Sequence, residues 1–433
     1  MLVMARKHSL STPPPSRGKV NIPLLIAFIG GSCYGSKNWI AEIMLILPSA
    51  ILASLAVLSV ISRRDTVCPG LGKTVFVGTA ITFFGMVGAL VQNDAPSAAF
   101  AGLFFVTWLS IAASTGSIPI GDITKTFAYS GAIVILSFMA VDHARIMSSL
   151  AVSGVGDDLL NRYGGPFEAH PNLIGHIAGA YLVALFWQSR DERMPVKFVF
   201  WAAIVACSLI CLAASSRGGL FAAAGSCALV FVYTKSRTLK GFFGMLFMGA
   251  AVIAAVLMFY PNVFDRLNVL LDLSQSQRGL DSGLSGRTQL WQLVLEQFGT
   301  TNEPYVWGAG FRGAWITNLT GAIDNGYLVT AVELGLIGMG LWIYQVLRSL
   351  QISWKAAREN ESATNLMILS IIIFFLAESI VARYLLALGN GASIFFMMLI
   401  VIVPSQLNVH RATQRKTIAP MSHPTQSAHA IGE

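Results

Sequence analysis

The sequence has little charge. Only 12% of its 433 residues are Asp, Glu, Lys or Arg, whereas 55% are hydrophobic. Soluble domains carry about 25% charged residues, and the mean hydropathy of +0.65 is high. These values exclude a soluble globular protein, because a long chain with so few charges must expose much of its surface to lipid. Short alternating apolar segments, which are typical of a membrane barrel, are also missing.

Metal-binding, redox and cofactor motifs are missing as well. Four of the five cysteines (Cys33, Cys207, Cys211 and Cys227) lie in apolar runs and Cys68 lies in a basic loop, which favours packing over metal binding. No HExxH motif or carboxylate cluster is present. The GxGxxG spacing in 307–313 follows no βαβ pattern and predicts a tight loop instead of a dinucleotide site. We therefore expect no cofactor, no metal and no nucleic-acid partner.

Long apolar runs are abundant, and each run of roughly 20 residues is enough for one membrane-spanning helix. The sequence predicts an all-α polytopic membrane protein of GT-C-like architecture, with a domain over 20–404 between disordered cytoplasmic segments at 1–19 and 405–433. About twelve spans are expected, at 20–35, 40–61, 74–92, 98–114, 124–141, 170–188, 197–214, 218–234, 241–260, 326–347, 364–382 and 385–404.

The basic residues predict the orientation. With the N-terminus in the cytoplasm, most Lys and Arg residues fall on the cytoplasmic side, as the positive-inside rule requires. An even number of spans then places both termini in the cytoplasm. The basic residues of the far side are mostly Arg, whose planar guanidinium binds phosphate or carboxylate in a bidentate way: Lys37, Arg145, Arg162, Arg217, Arg266, Arg278, Arg287, Arg312 and Arg383.

Two long far-side loops are predicted, at 142–169 and 261–325. The second contains several aromatic residues and a predicted amphipathic helix at 282–298, with Ser285 as a possible cap and Arg287 in the first turn. An Arg beside a helix N-terminus favours an anion site. The loop is therefore predicted to be large, extracytoplasmic and partly helical, and its helix is expected to lie at the membrane interface.

Three further sites carry candidate residues. Arg217 separates two apolar runs with almost no loop, either as a snorkelling topology marker or as an anion ligand. Arg312 either adds to that anion site or forms an ordinary ion pair. Asp324 precedes a span, where it is either the helix N-cap or a general base at the mouth of the bundle; Asn325 follows it.

The stretch "HPNLIGHIAG" supplies the remaining candidates. His170 and Asn172 either line a sugar pocket or cap a helix, and His176 shares that helix. Gly175 and Gly179 form a GxxxG pattern, which suits close helix packing in membranes.

Together these stretches resemble the O-antigen ligase and polymerase family of bacterial envelope polysaccharide synthesis. The resemblance covers about 170–350 and rests on the order and spacing of "HPNLIGHIAG", "SSRGG", "SGRTQLW", "WGAGF" and "DNGYLVTAVELGLIG". It implies a metal-independent, inverting glycosyltransferase at the outer face of the bacterial inner membrane. Its donor would be a glycan on undecaprenyl diphosphate.

The resemblance also implies residue roles. Arg217 and Arg287 correspond to the arginines that hold the diphosphate in the family's ligases. Asp324 and Asn325 stand where those ligases have His and Asn, and the His activates the acceptor hydroxyl. An Asp is a weaker base than a His, so this departure favours the polymerase branch over the ligase branch.

The prediction is therefore a polymerase of undecaprenyl-diphosphate-linked repeat units that makes exopolysaccharide or O-antigen. A ligase that transfers glycan to lipid A-core is the first alternative. A polysaccharide transporter or flippase and an envelope scaffold are the others. The expected catalytic residues are Asp324, Arg287 and Arg217, and the expected substrate contacts add Arg312, Asn325, His170 and Asn172. Expected partners are the carrier-linked glycan, an acceptor glycan, the bilayer and a chain-length regulator or flippase of the pathway.

Overall fold

The computed structural model describes residues 18–33, 46–55, 71–114, 117–152, 162–235, 291–296, 306–312 and 323–418. Every regular element in these ranges is a helix. The elements are α1 (Ile22–Ser32), α2 (Ile46–Leu55), α3 (Leu71–Val91), α4 (Ala95–Ser114), α5 (Ile120–Val152), α6 (Pro171–Gln188), α7 (Met194–Ala213), α8 (Arg217–Lys235), α9 (291–296), α10 (Gly326–Glu359), α11 (Ala363–Glu378), a 3-10 turn (Tyr384–Leu386) and α12 (Gly391–Ile418).

Six of the described helices (α3, α4, α5, α7, α8 and α10) are long and apolar enough to cross a membrane, and α1, α2, α11 and α12 contain shorter apolar stretches. This architecture confirms the predicted all-α polytopic membrane protein. The predicted span at 241–260 lies outside the described residues, as does most of the loop at 261–325.

Helix α6 forms the centre of the bundle. Every residue from Leu173 to Leu185 is buried, and the helix packs against α5, α7, α8 and α11. Gly175 and Gly179, the predicted packing motif, lie against the first turn of α8. A Cβ on Gly179 would approach the Gly219 carbonyl oxygen to 2.9 Å. These glycines therefore bring the two helix backbones together, as small residues do in membranes.

Charged residues lie at both ends of the helix bundle. At one end the Lys19 N–H donates to Asp122 Oδ1 (2.7 Å) and Lys125 pairs with Glu192 (3.2 Å). All four residues belong to the side that the sequence predicts to be cytoplasmic. Lys19 is thus held in the fold, although the predicted disordered segment 1–19 includes it. Of the described arginines assigned to the far side, Arg162, Arg217, Arg312 and Arg383 lie at the opposite end of the bundle.

Three helices run further than the sequence predicts. Helix α5 continues from its predicted span into the predicted loop and kinks at Asp142 (φ −116°, ψ 20°). Helix α10 extends to Glu359 instead of ending near 347. Helix α12 passes through Pro404 and ends at Ile418, so the first part of the predicted disordered tail is helical. Hydropathy marks where a helix leaves lipid, whereas the helix itself ends where its backbone hydrogen bonds end.

Helix α10 is broken within its apolar part. Gly335 has φ 66° and ψ 178°, a conformation that is essentially restricted to glycine. Residues 306–312, here called the glycine segment, pack against this break. Ala309 N–H donates to the Val332 carbonyl (2.7 Å) and Gly310 N–H to the Glu333 carbonyl (3.0 Å). Irregular backbone inside a membrane protein is tolerated where such partners satisfy it.

Candidate active site

The first turn of α10 separates the two candidate residues that precede it. Asn325 is the N-cap: its backbone is extended (φ −151°) and its side-chain oxygen accepts from Leu328 N–H at 2.9 Å. The sequence offered the cap as one of two roles for Asp324, whereas the structure shows Asn325 as the cap. The capping explanation therefore no longer accounts for Asp324, and Asn325 has a structural role that was not predicted.

Asp324 is part of a hydrogen-bonded cluster with Asn172 and Arg162. Asn172 Nδ2 donates to Asp324 Oδ2 (3.1 Å), and Arg162 Nη2 donates to Asn172 Oδ1 (2.8 Å). Arg162 also donates from Nε and Nη2 to the Ala214 carbonyl, at 3.0 and 2.7 Å. Because Asn172 accepts on one side and donates on the other, its amide orientation is fixed. The cluster thus holds the Asp324 carboxylate in one position and joins the start of α6, the end of α7 and the start of α10.

The remaining predicted residues at this end lie on neighbouring elements. His170 is the N-cap of α6, where its Nδ1 accepts from Asn172 N–H (3.3 Å). Arg217 is the first residue of α8 and is half-buried. The next residue, Gly218, contacts Val381 in the segment after α11. Arg217 therefore stands at a helix N-terminus at the same end of the bundle as Asp324.

Arg287 lies outside the described residues, so its predicted role in holding phosphate stays a prediction. Part of its predicted helix is described, as α9. Val294 of α9 is fully buried and Trp291 packs beside it. Both face a small apolar cluster that includes Ile323 and Val332. Helix α9 is thus anchored to the start of α10, near Asp324.

A cavity of about 490 Å³ is lined by Ile323, the residue before Asp324, and by Tyr384. Its volume falls within the range of about 300–1,000 Å³ typical of small-molecule sites. The wall combines apolar side chains with polar groups from α10, the glycine segment and the segment after α11. The polar ones are His170, Arg312, Thr330, Glu333, Arg383, Tyr384 and Asn390. Two predicted residues, His170 and Arg312, therefore line one cavity.

Arg312 contributes in two ways. Its guanidinium lies over the Phe100 ring, 4.8 Å from the centroid, and its backbone N–H donates to Glu333 Oε1 at 3.0 Å. Its φ of 52° is left-handed. The sequence considered only the charge of Arg312, and the structure adds a cation–π contact and a backbone contact with a carboxylate.

Tyr384 lines the cavity and lies close to Asp324. Burial raises the pKa of Tyr384 well above the usual range, and the nearby Asp324 carboxylate adds to this shift while Arg383 opposes it. The Tyr384 hydroxyl thus keeps its proton across the physiological range and remains a hydrogen-bond donor.

The segment after α11 is held by two contacts. The Ser379 carbonyl accepts the Gly326 N–H at 2.7 Å, which joins the segment to the start of α10. Deeper in the bundle, His176 Nδ1 is hydrogen-bonded to Glu378 Oε2, and both side chains are buried. Asn172 and His176 are one turn apart on α6, so this helix fixes both Asp324 and the segment that carries Arg383 and Tyr384.

Sequence reasoning missed the roles of Arg162, Glu333, Arg383 and Tyr384. A usable signal existed for Glu333, since an ionisable residue in a membrane span is by default a functional candidate. Arg162 and Arg383 were recognised only as far-side arginines, because their partners are distant in sequence. Nothing in the sequence marks Tyr384. Among the described residues, no group of three or more His, Cys, Asp or Glu side chains is placed to hold a metal ion.

The site overlaps a known family signature in part. Residues 202–343 match the O-antigen ligase family model. The chain has an O-antigen ligase-type domain. This match confirms the resemblance to the O-antigen ligase and polymerase family, and it supports a glycosyltransferase-type enzyme in a bacterial membrane. The O-antigen ligase match contains Arg217, Arg312, Asp324 and Glu333, whereas His170 and Asn172 precede it. It does not support the transporter alternative. No curated protein matches the chain.

Proposed function

We propose that the protein joins undecaprenyl-diphosphate-linked oligosaccharide repeat units into exopolysaccharide or O-antigen at the outer face of the bacterial inner membrane. The observation that carries this proposal is the Asp324 carboxylate, which Asn172 orients at the start of α10 beside the cavity, while Asn325 caps the helix. A carboxylate oriented in this way beside a substrate-sized cavity is suited to general base catalysis.

In the proposed reaction, an acceptor hydroxyl transfers its proton to Asp324 as its oxygen attacks the anomeric carbon of the donor sugar. The bond from that carbon to the diphosphate oxygen breaks on the opposite face, so the configuration inverts. Undecaprenyl diphosphate leaves with the bonding electrons. Asp324 then releases the proton to water at the outer face.

The leaving group determines what the arginines do. Negative charge grows on the diphosphate as the glycosidic bond breaks, and positive groups aimed at that charge lower the barrier. We assign this role to Arg217, at the N-terminus of α8, and to Arg287, which the family resemblance pairs with it. Since the diphosphate supplies the driving force and the arginines supply the positive charge, the proposal needs neither ATP nor a metal ion.

A ligase is the second candidate, because the matched family model carries the description O-antigen ligase. The same residues would catalyse that transfer, with lipid A-core as the acceptor. The two candidates therefore differ in the acceptor and in the carrier-linked species that accumulates when transfer is blocked. Protein partners of the same pathway, such as a chain-length regulator and a flippase, are part of either proposal.

The decisive experiment replaces Asp324 by Asn in the native host. The variant keeps the shape of the side chain but removes the base, so transfer should fall about 10²–10⁴-fold, the usual contribution of a general base. Asp94→Asn is the matched control. Asp94 accepts from Ser97 N–H at the start of α4 (3.1 Å), and Asn caps helices equally well. Surface polysaccharide is sized and carrier-linked units are quantified at equal membrane levels of protein.

The outcomes separate the candidates. A polymerase variant accumulates single repeat units and loses long chains. A ligase variant accumulates full-length polymer on the carrier. Normal polymer from Asp324→Asn would refute the catalytic role of this residue, and so would an equal loss in Asp94→Asn.

A further inference from the structure

The cavity contains a carboxylate that the proposed reaction does not use. Glu333 lies seven residues into α10, about 10 Å from the helix start at 1.5 Å per residue. It lines the cavity, and only 7% of its surface is exposed. Placing an ionisable group in a membrane helix is costly, and such residues normally mark a substrate pathway or a paired site. Glu333 therefore calls for a specific explanation.

Among the described residues, only one of the two side-chain oxygens of Glu333 accepts a hydrogen bond. Oε1 accepts the Arg312 N–H at 3.0 Å. Oε2 accepts no hydrogen bond from the residues that the structure describes. A buried acceptor without a partner would be costly. Because Glu333 lines the cavity, a bound molecule can donate to its second oxygen there.

The backbone fixes this oxygen in place. The carbonyl of Glu333 accepts the Gly310 N–H, and its carboxylate accepts the Arg312 N–H, so the glycine segment holds both ends of the residue. The break at Gly335 follows within half a turn. A side chain held in this way loses little further freedom when it binds a ligand.

The charges around Glu333 indicate the class of ligand. Arg312 and Arg383 line the same cavity as Glu333, so the site presents donors and an acceptor together. A diphosphate carries acceptor oxygens, so it offers few donors to the Glu333 carboxyl group. A lipid chain would find the charged groups too costly to desolvate. A sugar fits better, because hydroxyl groups need acceptors and donors together.

We propose that this cavity is the acceptor-sugar subsite, in which Glu333 Oε2 accepts hydrogen bonds from sugar hydroxyls. Arg383 and the Tyr384 hydroxyl supply donors, and the apolar side chains of Phe100 and Phe311 cover the sugar carbons. This assignment rests on the proposed glycosyl transfer, because Asp324 at the cavity edge would be the base that activates the bound acceptor.

The test measures binding, which requires no catalysis. The full-length protein is purified in detergent, and the probe is the repeat-unit oligosaccharide released from the host's own polysaccharide by mild hydrolysis. Saturation-transfer NMR titrations give its affinity. Glu333→Gln retains the oxygen that accepts from Arg312 but replaces the second oxygen with a donor, so we expect affinity to fall at least tenfold. Glu192→Gln, a matched carboxylate at the opposite end, should bind like the wild type.

A second titration uses inorganic pyrophosphate and separates a sugar site from an anion site. The sugar assignment predicts that Glu333→Gln does not weaken pyrophosphate binding. The assignment is overturned if the wild type binds no oligosaccharide or if Glu333→Gln binds it normally. If Glu333→Gln does not fold, Arg383→Gln replaces it, because Arg383 is exposed on the cavity wall; normal oligosaccharide binding by that variant overturns the assignment.

Asp324→Asn distinguishes this inference from the proposed function. It should bind the oligosaccharide normally while transfer in the host is lost. Normal polymer from Asp324→Asn combined with weakened binding in Glu333→Gln would refute the catalytic proposal and leave a sugar-binding cavity. Lost polymer from Asp324→Asn combined with normal binding in Glu333→Gln would refute only the subsite.

Discussion

Replacing Gly335 by Ala tests whether the break in α10 is built into the fold. Gly335 has φ 66° and ψ 178°, and forcing a non-glycine residue into such a conformation costs about 1–3 kcal/mol. The new Cβ would also collide with the Val306 carbonyl oxygen and approach Gly308 N to 2.7 Å. Both contacts are with backbone, so relieving them displaces the glycine segment.

Displacing that segment weakens the hydrogen bonds from Ala309 and Gly310 to α10, and each bond contributes about 1 kcal/mol. We therefore expect Gly335→Ala to lower the free energy of unfolding by about 3–5 kcal/mol. Because Glu333 and Arg312 are held by the same contacts, the cavity wall should be disturbed as well.

Gly340→Ala is the matched control, since Gly340 is in the same helix and a Cβ there meets nothing within 4 Å. Alanine is a better helix former than glycine by about 1 kcal/mol, so this variant should be neutral or slightly stabilised. Thermal unfolding of both proteins is followed in the same detergent. Equal melting temperatures would show that the α10 break does not depend on Gly335, and the reasoning would fail.

Three further predictions are tested by thermal unfolding or by amide hydrogen exchange. Glu378→Leu alone should lower the free energy of unfolding by about 3–5 kcal/mol, because it leaves His176 buried without its partner. Adding His176→Phe should restore most of that stability. A double variant that is no more stable than Glu378→Leu would contradict this. Gly88→Ala places a Cβ 2.5 Å from a carbonyl oxygen of the glycine segment and should lower the melting temperature, unlike Gly102→Ala, which meets nothing within 4 Å. Arg162→Ala removes three hydrogen bonds and should lower the free energy of unfolding by about 2–3 kcal/mol. Amide hydrogen exchange at the end of α7 should become faster. Unchanged exchange would refute the bridging role of Arg162.

The membrane class and the position of most spans could be predicted from the sequence, because burial in lipid requires long apolar runs wherever the chain crosses. The candidate site could be predicted only as separate residues. Arg217, Asp324 and Arg312 stand out as polar groups beside apolar runs, since each is costly in that environment. Their neighbours in space, such as Arg162 and Arg383, have no local signal, because the contacts that define their roles join distant parts of the chain.

The sequence by itself determined that this chain is a helical membrane protein whose polar residues gather at the ends of its spans, because lipid penalises them elsewhere. It also indicated the family through the order of short motifs. The tertiary structure decided that Asn325 caps α10 while Asp324 bonds to Asn172, since both residues suit a cap and only the structure shows whose side chain accepts from Leu328 N–H. It also decided that Glu333 faces a cavity, because that depends on a helix break that packing against the glycine segment stabilises.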